Sequence, residues 1–191
     1  MNGNVVTPGT GRREFLAASP LIVLSAALPD VSQDARQAAP PKPALTDELS
    51  AAELKIVGRS KMAADVVNFF GKGHNCAESG LLVALRFLNK PQELEWIASG
   101  FGGGLQHRDL CGFLTSGVMA LGLHAGTGRM DAREAKAACA RRVRAYWQWW
   151  TTTAPLHCAE ITQGRTDLRA CERLGRLATA KIEELITEAR P

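Results

Sequence analysis

The chain has 191 residues, 46% of them apolar, and a net charge of +4, which suits one compact domain with a real core plus additional N-terminal sequence. Its Lys and Arg are spread among acidic residues and form no stripe with interleaved aromatics, which argues against nucleic acid as a partner. One Tyr against plentiful Ala and Leu points to an all-α fold, and five cysteines, an odd number with no C-x-x-C pair, exclude a simple disulfide framework, the common zinc modules and covalent c-type haem.

In chain order, Arg12-Arg13-Glu14-Phe15-Leu16 and the apolar run to Leu28 resemble a twin-arginine export signal, predicted over residues 1–27. The run is short and broken by Pro20, so it does not read as a membrane span, although an uncleaved leader would tether the protein to a membrane. The expected location is the periplasm or another exported compartment. Residues 28–45, with Pro40-Pro41-Lys42-Pro43, read as a disordered tether. Residues 46–191 then read as a compact bundle of about five to six helices. A capping box at Ser50-Ala51-Ala52-Glu53 opens a predicted helix over 50–70, stopped by Gly71-Lys72-Gly73. A second is predicted from Asn75 to Leu88, and a short third from Pro91 to Ala98. The run Gly100-Phe101-Gly102-Gly103-Gly104 reads as a loop. The helix predicted over 109–124 is apolar nearly all round, which makes it the expected central buried helix. Asp131 caps a fifth helix to Trp150, Cys158 begins a turn or short helix, and Asp167 opens a last amphipathic helix to about Arg190.

Asn75-Cys76-Ala77-Glu78, the glycine run at 100–104, and the string from Cys111-Gly112-Phe113-Leu114 through Ser116-Gly117 to Leu123 resemble the C-GCAxxG-C-C family of redox-active proteins. His157-Cys158-Ala159-Glu160-Ile161 is similar to its third cysteine segment, and Cys171 to its fourth. The resemblance spans roughly residues 57–187. It implies a small helical domain with four functional cysteines: Cys76, Cys111, Cys158 and Cys171. The family is also similar to the non-haem part of split-Soret cytochromes, but the haem attachment motif is missing and haem is not expected. Phe113 and Ser116 stand where small residues are usual. Cys139 matches no family position, nor does the cluster Tyr146-Trp147-Gln148-Trp149-Trp150.

Four thiolates can hold an iron–sulfur cluster or another thiolate-bound metal, given the soft, charged sulfur that iron and zinc prefer. The four lie far apart in sequence, so they meet only if the helices bring them together. Each is predicted near a helix start, where free N–H groups and the dipole favour a thiolate. His74, His107 and His157, next to cysteines, and Gly102 and Gly103, through backbone N–H groups, are candidates for supporting contacts to the sulfurs. Cys139, in an Ala-rich stretch, reads as a small core residue. The glycine run lacks the Lys-Ser/Thr of a phosphate loop, so no nucleotide is expected. No G-x-S-x-G frame surrounds Ser116, so no serine hydrolase is expected. The sequence therefore predicts an exported electron-transfer protein with a centre on the four cysteines and a redox partner protein, which could be membrane-associated. Two alternatives remain: a thiol–disulfide oxidoreductase using a pair such as Cys158 and Cys171, and a helical adaptor docking a membrane redox complex through its Trp surface, which could equally serve a homodimer.

Overall fold

The structure is a computed structural model and describes residues 45–128 and 130–188. The chain divides into units Met1–Gln37 and Ala38–Pro191. The expected signal and nearly all of the expected tether lie outside the described residues. The described part of the second unit is helical, and the all-α expectation holds.

Ser50 and Glu53 form the expected capping box on α1 (Ala51–Val57). The single helix predicted over 50–70 is instead two. The chain turns at Gly58-Arg59, and Ser60 starts α2 (Lys61–Val66) by accepting the Ala63 N–H at 3.0 Å. A serine hydroxyl that can cap competes with helix continuation, and periodicity alone does not register that competition. Glu183 of α7 (Arg169–Thr187) completes this cap: its Oε2 accepts Ser60 Oγ at 2.6 Å and the Met62 N–H at 2.8 Å. Glu183→Ala is therefore expected to cost about 2–3 kcal/mol, the scale of charge-assisted hydrogen bonds lost from a part-buried site. Urea denaturation measures this, and an unchanged midpoint would show that the cap carries no stability.

α3 (Cys76–Phe87) begins within a residue of its predicted start. Residues Gln92–Phe101 form a 3₁₀ helix that runs past the predicted stop at Ala98 and takes up Gly100. A wide turn over Gly104–Arg108 follows, with Leu105 and Gln106 left-handed. The central helix, α4 (Gly112–Gly126), starts later than the predicted Asp109. Leu110 pairs in antiparallel fashion with His157, the Cys111 N–H bonds to Leu156 O at 2.9 Å, and the Cys158 N–H bonds to Asp109 O at 2.7 Å. This bridge holds residues 109–111 extended, so Cys111 is the N-cap of α4 and not its first turn. Asp131 caps α5 (Ala132–Thr153) as expected, α6 spans Cys158–Thr162, and α7 begins after Leu168 and not at Asp167.

α4 packs against α3, α5, α7 and the 3₁₀ helix, and close approach depends on its small residues. A Cβ at Gly117 would lie 2.6 Å from Tyr146 Cζ, and one at Gly175 of α7 would lie 2.8 Å from Phe113 Cε2. Phe113, bulky for its family position, thus fills space left by Gly175, and Ser116 packs where a Cβ on Gly80 would sit. Tyr146 and Trp150 are fully buried, the Tyr146 hydroxyl donates to Phe113 O at 3.0 Å, and Trp149 stacks on Tyr146. The aromatic cluster is mainly core, and within it Trp147, 46% exposed, faces solvent. Among the described residues no helix is long and apolar enough to cross a membrane.

Candidate redox site

Cys76 is the first residue of α3. Asn75 accepts the N–H groups of Ala77 (2.9 Å) and Glu78 (3.0 Å), while Glu78 returns a bond to the Asn75 N–H at 2.8 Å. The Asn75 carboxamide also donates to Ser99 O at 3.3 Å, and it occupies the space a Cβ on Gly102 would need. One side chain thereby ties the start of α3 to the glycine-rich segment. That segment also carries Gly103, whose N–H favours the Cys76 thiolate. The N–H groups of Gly112, Ala77 and Cys76 itself act in the same direction, and the Cys76 sulfur lies where a Cβ on Gly112 would sit. Burial pushes the Cys76 thiol up, and these donors pull it back toward the thiolate.

The other three family cysteines converge on Cys76. Burial raises the Cys111 thiol well above its ordinary value; a charge on Cys76 or Cys171 raises it further, and the Phe113 and Leu114 N–H groups oppose this. Cys158 is raised by burial and by Cys76 and lowered by Arg108. Cys171, in the first turn of α7, is pushed up to about 12 by burial and by Cys76 and Cys158, against the pull of Arg165. The antiparallel bridge joins the Cys111 and Cys158 segments directly, and Gly104 packs so closely that a Cβ there would lie 2.7 Å from Cys158 Cβ. All five cysteines are free thiols. Cys139 stands apart on α5, half-buried, with its sulfur toward Gly122 of α4.

The histidines are placed differently from one another. His74 Nε2 lies 3.4 Å from Glu95, and its ring meets Phe69 edge-on. His107 is exposed on the wide turn. His157 Nδ1 lies 2.7 Å from Asp109 Oδ1, beside the bridge. Sequence reasoning gave no site role to Asn75, Arg108, Asp109 and Gly112. Of these, Asn75 had a readable signal: Asn75-x-x-Glu78 repeats the capping logic recognised at Ser50.

A single tetrahedral ion at about 2.3 Å from each sulfur needs its ligand sulfurs about 4 Å apart. Among the described residues no three His, Cys, Asp or Glu side chains are grouped to hold one metal ion. The donor set does not fit a mononuclear ion. Cys111, Cys158 and Cys171, each within electrostatic reach of Cys76, would suit a polynuclear unit instead, whose irons are each ligated by a different cysteine.

These features define a helical domain whose four distant thiols are gathered at the starts of α3, α4, α6 and α7. A family model described as "Putative redox-active protein (C_GCAxxG_C_C)" matches residues 74–185. The chain belongs to that family. No curated protein and no solved structure matches it.

Proposed function

We propose that this domain is an exported electron-transfer protein in which Cys76, Cys111, Cys158 and Cys171 hold an iron–sulfur cluster. The observation that carries the reading is the packing of the Cys76 sulfur against the start of α4 at Gly112, where backbone N–H groups favour its thiolate and where Cys111, Cys158 and Cys171 lie within electrostatic reach. Buried N–H groups aimed at a neutral thiol are poorly used, whereas they stabilise a thiolate. A cluster of buried thiolates, however, requires a positive centre among them. When bound, the cluster supplies reversible one-electron chemistry. The chain's own part is to hold four sulfurs, donate N–H bonds that bias the potential, and exclude water behind Phe113 and Leu114. Export through the Arg12-Arg13 signal agrees with this reading, because that route carries proteins folded with their cofactors. The electron donor or acceptor is then a redox protein, at or near a membrane.

Thiol–disulfide exchange is the second reading, favoured by the partial exposure of Cys158. Reactive thiols normally have lowered pKa values, and all four here are raised, which ranks exchange second. Anaerobic purification of the full chain decides between them. Iron and sulfide in stoichiometric amount are expected, lost in Cys76→Ser and Cys111→Ser and kept in Cys139→Ser. Colourless protein free of iron, with a disulfide that forms and breaks on thiol trapping, establishes exchange instead.

A further inference from the structure

The sulfur site is not closed on all sides. Cys111 is buried, while Cys76, Cys158 and Cys171 each keep part of their surface open. The segment bordering that opening has an unusual backbone. Gly103, Gly104, Leu105, Gln106 and Arg108 all have positive φ, with Arg108 at 57°. A side chain in this region costs about 1 kcal/mol or more per residue, so three non-glycine residues here carry local strain that the surrounding structure must hold. The hold is visible: the Asp109 N–H bonds to Gly104 O at 2.9 Å, and Asp109 O accepts the Cys158 N–H at 2.7 Å. Arg108 is the residue next to that junction. It is exposed and makes no ion pair with any described residue, whereas the neighbouring Asp109 is taken up by His157. The strained segment thus carries an exposed cation beside Cys158, one of the three partly open cysteines.

We infer that this opening admits a small anion, a carboxylate or oxyanion, which Arg108 draws to the sulfur of Cys158. The inference rests on the redox reading of the four cysteines and adds the class of molecule that reaches them. The partial cover over Cys158 suits a small molecule better than a protein surface, and an exposed guanidinium with no ion pair among the described residues is a ready donor to carboxylate or oxyanion oxygens.

The test compares oppositely charged probes on the whole chain. Where visible absorbance shows a bound centre, the readout is oxidation of the reduced protein by ferricyanide relative to hexaammineruthenium(III), each taking one electron. Where it shows none, the readout is alkylation at position 158 by iodoacetate relative to iodoacetamide, in which the S–C bond forms as iodide and the thiol proton leave. Either ratio is expected to fall about three- to tenfold in Arg108→Gln and to shrink toward the variant's value in wild type at 1 M salt. Arg108→Lys and Arg144→Gln, the latter an exposed change on α5, should keep it. Arg108→Gly removes the charge while relieving the backbone, so it supplies the same reading if the glutamine variant folds poorly. An equal ratio in wild type and both charge-removing variants overturns the inference, as does a site closed to both members of the applicable pair. Either result stands apart from the presence or absence of the metal centre, which absorbance reports independently.

Discussion

Gly112→Ala is expected to disable the sulfur site and lower stability by about 1–3 kcal/mol, the range for forcing an extra methyl into a packed interior. A Cβ at this position would press on the Cys76 sulfur, lie 2.9 Å from the Ala77 backbone nitrogen and 3.1 Å from Ala77 Cβ. Backbone cannot yield as a flexible side chain does, so α4 must move away from the start of α3. Such a shift draws the Gly112 N–H off the Cys76 sulfur and displaces Cys111, the cap of the same helix. For a domain of this size the thermal midpoint should drop by about 3–10 °C. Gly126→Ala, at the other end of α4, is the matched control: a Cβ there meets nothing within 4 Å, and Ala favours the helix by up to about 1 kcal/mol. Calorimetry and iron content on both variants give the answer. If the two behave alike, the contact between the starts of α3 and α4 is not what assembles the site.

The four cysteines were singled out by their resemblance to the family's segments, and the helices were legible from caps such as Asp131 and from the apolar pattern of α3 and α7. Three features were not. The break at Gly58-Arg59-Ser60 hides inside an unbroken apolar period, and a serine that caps through Glu183 is recognised only when α7 is in place. The extended stretch before α4 exists because Leu110 pairs with His157, a contact made across 47 positions of chain that no local propensity encodes. The left-handed conformation of Leu105, Gln106 and Arg108 runs against residue preference and is imposed by tertiary contacts around Cys158. All three lie in loops or at helix ends. Two of them build the sulfur site, in keeping with the tendency of functional positions to break local rules.

The largest pH effect should appear when the reduced protein is stripped of metal and taken alkaline. Cys171 is pushed from the ordinary thiol value of 9.0 to about 12, and Cys76, Cys111 and Cys158 are raised in the same direction, chiefly by burial. Above about pH 9 the unfolded chain therefore releases thiol protons that the folded chain keeps. The folded state then binds more protons, so stability, complete below that pH, falls as pH rises. Cys171 alone should remove about 2 kcal/mol by about pH 10.5, at 1.36 kcal/mol per pH unit. The Tyr146 phenol, raised well above its ordinary 10.0 by burial, steepens the loss at higher pH. A bound cluster reverses the sign, because its ligands are already thiolates and metal binding releases their protons, so the loaded protein gains stability from neutral pH toward about pH 9. Urea midpoints across this range, for stripped and as-purified protein, separate the two cases, and Cys171→Ser should remove its own share of the alkaline loss. A midpoint that stays level in the stripped protein would contradict the burial of the thiols. A midpoint that falls identically in the as-purified protein would show that the four sulfurs carry protons and hold no cluster.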